Sequence, residues 1–428
     1  MNCESTSMDH GETLRPSELA ARAIARVSRS PEALGIPRPE RALWSFGRLT
    51  LSPEALEAIR GLTSRLDEAQ WRHLLALARF HGMAPLVFWQ LATANLLTAI
   101  PAPIAAACKV EYLQTLINNR RMQTIFQEVV SALGAAGISV MALKGLALAR
   151  RYYGEVALRP MTDMDLLVRR EDVPQATATL RGLGYRADNG MGSPSGFYSF
   201  TSAVVAYARP GSLSIEMHWE LFGRNAYRPS LPAAEVWNRT LEIRVFDQSV
   251  RYLHPRDELW YLCVHAATEH RLERLIWLVD IAELVDSLPA DWDWQRFIEE
   301  TIAAGVALPV AAALAYCCAH LRLSAPTDAL ERLYEAADAP AEQATCAAAQ
   351  AELLSAEWIQ MAAASVRSPT EQAIFLRGVL APHRRTLDAL YGRAATRWHA
   401  LPYTYLRHWR RTARPTLRAL RGAGQSAH

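Results

Sequence analysis

The stretch Arg159-Pro-Met-Thr-Asp-Met-Asp-Leu-Leu-Val168 decides how the chain is read. Met164, Leu166, Leu167 and Val168 have the character of a short buried strand. Side chains alternate across a strand, so Asp163 and Asp165 project from one face with Cα atoms ~6.5–7 Å apart. Two carboxylates that close repel each other unless a cation lies between them. Mg²⁺, held by one or two carboxylates together with substrate phosphates, is the natural occupant. Two solvated acids at a strand end are the plainer alternative, and the neighbouring sequence weighs against it.

Upstream, Ile138 to Leu143 is strand-like, Lys144-Gly145 turns the chain, and Leu146 to Tyr153 reads as a helix. A helix start leaves backbone N–H groups unpaired and carries a partial positive charge, which suits phosphate. Gly145, lacking a Cβ, lets a phosphate come close to the backbone. Lys144 adds a point charge, as phosphate-binding lysines do. An ordinary turn with a surface lysine remains the alternative.

Downstream, Leu213-Ser-Ile-Glu-Met-His-Trp219 alternates, with Ile215 and Met217 facing one way and Glu216 and His218 the other. If this strand neighbours the first, three carboxylates converge. Two-metal sites for in-line phosphoryl displacement need such a cluster. A polar edge face, or a hydrogen-bonded Glu216–His218 pair, is the competing reading.

Around this centre the rhythm changes. Residues 1–45 are polar and proline-bearing and are expected as a flexible lead-in, with one helix near Ser17–Ser28. Residues 46–118 are helical; Trp71, Leu74, Leu75, Leu77 and Ala78 recur at three- and four-residue steps. Residues 119–250 alternate strands and helices. They begin inside a long helix over Val110–Ala135, and Arg209-Pro-Gly-Ser212 joins two β-prone runs, Phe197–Ala208 and Ser212–His218, into a hairpin. Residues 251–428 return to helices, including Arg256–His270 and Leu272–Leu288, and end in an arginine-rich segment. The expected class is α+β, a small mixed sheet flanked by helical regions at both ends.

Composition bounds the function. Net charge is only +3, so nucleic acid is not expected as a partner. Among 46 cationic residues only Lys109 and Lys144 are lysine, which makes Lys144 conspicuous. Cys3, Cys108, Cys263, Cys317, Cys318 and Cys346 form no C-x-x-C pair, so neither a disulfide framework nor a zinc-cysteine site is expected. With no apolar run of ~18 residues and no secretory start, the reading is a soluble, cytoplasmic protein without membrane association. The alanine-rich helices leave room for a dimer.

The segments Leu143-Lys-Gly-Leu-Ala, Tyr153, Leu158 to Val168, Leu183-Gly-Tyr185 and Ile215-Glu-Met-His-Trp219 resemble the uncharacterised bacterial nucleotidyltransferase family of the polymerase β-like superfamily. His265, His270 and Leu275-Ile-Trp-Leu-Val-Asp280-Ile-Ala are similar to its helical C-terminal part, and the Trp71–Met83 segment to its N-terminal part. The resemblance implies a Mg²⁺- or Mn²⁺-dependent transfer of a nucleoside monophosphate, from ATP or another NTP, to an acceptor hydroxyl. The acceptor would be a small molecule, a peptide or a protein, with peptide natural-product assembly as one setting. It implies Asp163, Asp165 and Glu216 as metal ligands, Glu216 also as base, and Arg159 as a phosphate clamp. His218 joins Lys144, Gly145 and Arg159 in the nucleotide-binding set. Lys144-Gly145 stands where the superfamily has Gly-Ser, and Glu216 where Asp is commoner. A non-catalytic nucleotide-binding or scaffold protein on the same fold is therefore the alternative.

Three further features are weighed. His265-Ala-Ala-Thr-Glu-His270 lacks the glutamate placement of an H-E-x-x-H zinc helix. His265 and Asp280 are expected to buttress the nucleotide domain, line the acceptor pocket, or sit satisfied in the core. The arginine-rich end reads first as a solvated cationic helix face, with phosphate, RNA or an acidic partner as the alternative.

Overall fold

A computed structural model describes residues 16–27, 41–187, 203–222, 226–245, 248–351, 369–382 and 399–425, with a few single positions between 355 and 397. Most of the expected N-terminal lead-in and the first half of the Phe197–Ala208 run lie outside the described residues.

Seven strands form one mixed sheet: β1 (Met141–Leu143), β2 (Asp163–Leu167), β3 (Arg186–Ala187), β4 (Val204–Ala208), β5 (Ser214–His218), β6 (Leu241–Val245) and β7 (Gln248–Tyr252). Their spatial order is β3-β4-β5-β2-β1-β7-β6. The β4–β5 hairpin closes through Arg209-Pro-Gly-Ser212, with the Ser212 N–H donating to the Arg209 carbonyl. β2 lies between β1, antiparallel, and β5, parallel. The class is α+β, as the alternation of patterns predicts. The β6–β7 hairpin is an addition that the sequence reading did not separate from the core; Leu241 and Ile243 on it are exposed, so its apolar pattern is weak.

The two faces of the sheet bury different things. Ala142, Met164, Leu166, Ile215 and Met217 face a cluster with Met122, Phe126, Val129 and Leu133 of the long helix Ala102–Ala135 and with Ala176 and Leu180 of helix Val173–Gly182. Met141, Leu143 and Leu167, on the opposite face, join a second cluster made of helices. Alternation puts Asp163 and Asp165 on the Leu167 side of β2, and Glu216 and His218 correspondingly on β5. The acids therefore look toward the helices.

That helical cluster draws on both ends of the chain. Trp71, Leu74 and Leu91 from before the sheet pack with Leu259, Val279, Leu308 and Leu314 from after it. Arg48 ties the two parts, donating from Nε to Glu283 at 3.0 Å and from Nη1 to the Leu321 carbonyl at 3.0 Å. The Ile276 N–H donates to the His81 carbonyl at 3.2 Å. Helix Ala102–Ala135 runs unbroken through position 118, its first turns in the helical cluster and its last in the sheet cluster. Among the described residues no helix is long and apolar enough to cross a membrane.

Candidate functional site

β2 and β5 run in parallel register, with Asp163 beside Ser214, Asp165 beside Glu216, and Leu167 beside His218. Same-face neighbours on adjacent strands are close enough to interact directly. The donor atoms of Asp165, Glu216 and His218 accordingly lie within 4.8 Å of one another. His218 Nε2 is 3.1 Å from Asp165 Oδ1 and 3.7 Å from Glu216 Oε2. Asp163 stands outside that trio, half-buried at the start of β2. It is near enough to feel the others: burial, then the charges of Asp165 and Glu216, raise its pKa.

Lys144 enters from the end of β1, where Leu143 pairs with Asp165. Its Nζ is 3.3 Å from Asp165 Oδ1 and 5.6 Å from the centroid of the Tyr261 ring. Burial opposes its charge, but Asp165, Tyr261, Glu269 and Glu216 more than offset that and hold its pKa well above the usual lysine value. Burial likewise disfavours ionised Asp165, and Lys144 and His218 outweigh it, so the carboxyl sits below the usual range. His218 is opposed by burial and raised by its bonds to Asp165 and Glu216.

The turn itself is strained. Lys144 has φ +41°, in the left-handed region that a side chain enters at a cost of roughly 1–2 kcal/mol, and Gly145 follows at φ 14°, ψ −101°. Helix Lys144–Arg151 starts from this kink. A Cβ built on Gly145 would sit 3.7 Å from the Asp163 carbonyl, in ordinary contact, so space alone does not demand a glycine here. Strain retained at such a position is a pointer to function, since the surrounding structure must over-determine it.

Arg159 is placed otherwise than the phosphate-clamp expectation. Its Nε and Nη2 donate to Asp280 Oδ1 and Oδ2 at 2.8 and 2.7 Å, and both side chains are buried. Tyr153 Oη donates to the same Oδ1 at 2.7 Å. A buried guanidinium already forked onto a carboxylate has spent the geometry a phosphate would use. This ties the segment before β2 to helix Leu275–Asp286.

Two participants were less legible. Tyr261, on helix Pro255–Val264, lies under the Lys144 ammonium, yet in sequence it is one aromatic among many. His265, one turn on, packs against it, with ring centroids 6.2 Å apart. Burial, then Lys144, lowers the pKa of His265. The signal available was a lone polar residue in an apolar helix, which does not say what the residue touches.

Comparison with known proteins adds the following. The model of an uncharacterised nucleotidyltransferase family matches residues 67–322. No curated protein matches. Among solved structures, a solution structure of the antibiotic-resistance factor ANT(2'')-Ia aligns at 15% identity and a TM-score of 0.28, covering 51% of this chain and 91% of that one.

Proposed function

The chain belongs to the uncharacterised nucleotidyltransferase family, and on that footing we propose that it moves a nucleoside monophosphate from an NTP to an acceptor hydroxyl, with release of pyrophosphate. The observation that carries the reading is the register of β2 and β5, which sets Asp165 beside Glu216 with Asp163 one pleat away. Three carboxylates are a hard, oxygen-only donor set, and such a set fits Mg²⁺ or Mn²⁺. The pKa of Asp163 is raised first by burial and then by the charges of Asp165 and Glu216, and that repulsion is what a bound cation would relieve. Asp163, Asp165 and Glu216 would hold the metal, which when bound neutralises charge on the phosphoryl oxygens.

The chain's own groups do the rest. Lys144 lies on a hinge of positive φ and can exchange Asp165 for a triphosphate oxygen. The helix start behind Gly145 offers backbone N–H donors to the same anion. His218 orients the Asp165 carboxylate through its Nε2 contact. Glu216, more exposed than Asp165 or His218, is positioned to take the proton of an acceptor hydroxyl approaching from solvent. Arg159 acts through Asp280 as a strut that fixes the approach to β2. The acceptor is a small molecule, a peptide or a protein.

The test is incubation of the full-length protein with each α-labelled triphosphate, Mg²⁺ and a host extract, following labelled product and released pyrophosphate. Asp163→Asn and Asp165→Asn are expected to abolish both signals and the metal-dependent binding of triphosphate seen by calorimetry. Triphosphate binding that survives unchanged without metal in the double variant would sink the proposal.

A second reading has one observation in its favour. The Lys144 ammonium and His218 together already balance the charge of Asp165. An internal cation of that kind suits a protein that binds nucleotide without turning it over. Metal-dependent triphosphate binding with no pyrophosphate from any acceptor would select this reading.

A further inference from the structure

The helices facing the acidic side of the sheet carry a second cluster of donor side chains, outside the set assigned above to metal and triphosphate. His265, Glu269 and His270 present one donor atom each, all within 4.8 Å of one another. His265 Nδ1 and Glu269 Oε2 are already 3.0 Å apart. We propose that these three residues bind a transition-metal ion of the Zn²⁺ class, at a site separate from the acidic one on the sheet.

The backbone explains why they meet. In an α-helix each residue turns ~100°, so His270 would lie ~140° around the axis from His265. Residues His265–Glu269 instead form a π-turn. Its i→i+5 spacing carries position 270 back over position 265 while keeping 269 on the same side. Such wide turns are rare and are frequently found at functional sites. The chain then leaves through Arg271 and Leu272 at φ +49° and +59°, with the Leu272 N–H donating to the Ala266 carbonyl at 2.7 Å. Two consecutive non-glycine residues in the left-handed region are the cost of stopping the helix there.

The side chains are also held. The His270 ring stacks on Trp277 with centroids 3.8 Å apart and a 22° interplanar angle. Arg274 covers Trp277 and Phe80. His265 is fixed between Tyr261, His270 and Trp277. Ring orientation is thus set by packing, which preorganises a metal site. His265 is buried, His270 half-buried and Glu269 exposed, which leaves an entry path from solvent. A tetrahedral Zn²⁺ with bonds of ~2.0–2.1 Å wants donors ~3.3 Å apart, close to the 3.0 Å between His265 Nδ1 and Glu269 Oε2.

Chemistry separates this site from its neighbour. Two imidazoles and one carboxylate select Zn²⁺, Co²⁺, Fe²⁺ or Mn²⁺ over Mg²⁺, which prefers oxygen. Three protein ligands leave a fourth position open for water or a substrate atom. The ligand order, H-x-x-x-E-H, is not that of the H-E-x-x-H zinc helix, because here the glutamate is itself a ligand.

The test uses the full chain stripped with chelator and dialysed, then titrated with Co²⁺ followed by Zn²⁺ in competition with a chromophoric chelator. One equivalent of Co²⁺ is expected to give visible d–d absorption, displaced by one equivalent of Zn²⁺. His265→Ala and His270→Ala should each weaken Zn²⁺ binding by more than the ~10–100-fold that loss of an outer partner costs. Asp163→Asn/Asp165→Asn should change Zn²⁺ binding far less than either histidine variant, whatever becomes of triphosphate binding. A wild-type protein that shows no Co²⁺ spectrum overturns the proposal without any variant. So does Zn²⁺ affinity that is unaltered in folded His265→Ala and His270→Ala proteins, or that falls with the aspartates instead.

Discussion

Asp280 gives the sharpest prediction, because one substitution exposes both the packing and the role of Arg159. Asp280 accepts two guanidinium bonds from Arg159 and the Tyr153 hydroxyl, and its side chain is 1% exposed against 7% for Arg159. Asp280→Ala leaves a buried guanidinium without a partner, a loss of about 3–5 kcal/mol. The stranded Tyr153 hydroxyl adds about 1 kcal/mol or more. Against a total stability of about 5–15 kcal/mol, this variant should unfold at much lower urea, followed by tryptophan fluorescence. Arg159→Met/Asp280→Leu removes both charges, and such swaps are often neutral or stabilising by about 1–4 kcal/mol. The double variant should therefore recover most of the midpoint, and its triphosphate affinity should stay within ~3-fold of wild type, or ~0.7 kcal/mol. An Asp280→Ala loss below ~1 kcal/mol refutes the strut. A tenfold or greater drop in triphosphate affinity in a well-folded double variant returns Arg159 to the phosphates.

Three more outcomes are expected. Lys144→Gly should be more stable than Lys144→Met by about 1 kcal/mol in urea unfolding, because both lose the ion pair but only glycine relaxes the positive φ; Met equal to or above Gly would remove the strain argument. Lys144→Ala should weaken triphosphate binding far more than nucleoside binding, and equal losses would take Lys144 out of the phosphate site. His218 has a pKa raised above 6.5, so its stabilising contribution is complete below 6.5 and is lost as pH rises through the folded-state value. Metal binding runs the other way, tightening as that proton leaves. Calorimetric Mg²⁺ titrations from acid to alkaline should show this, and His218→Gln should flatten the profile.

The parts of the fold that could be read in sequence were those carried by local pattern. Alternation in Met164–Val168 and Leu213–Trp219 set both strands and put the correct side chains on one face. A lysine-glycine pair between a strand and a helix marked the turn. Tertiary pairing left no comparable trace. Nothing in Leu275–Ala282 says that its aspartate meets an arginine 121 positions earlier. The same holds for Tyr261 and Lys144. The strain at Lys144 was hidden too, since only coordinates show that a lysine occupies a glycine-like conformation. The π-turn escaped because a widened turn and a regular one share the same apolar spacing to within a residue.

The helices that precede the sheet share their interior with helices that follow it, and synthesis runs in one direction. When Trp71, Leu74 and Leu91 leave the ribosome, Val279, Leu308 and Leu314 are still roughly 190 to 240 codons away. At ~5–20 residues per second that is an interval of ~10–40 s with greasy surface uncovered. The early segment must wait, sheltered by chaperones or by loose self-association, while the sheet in between is free to form first. Severing the polypeptide after the sheet would thus yield an aggregating fragment rather than a smaller folded protein.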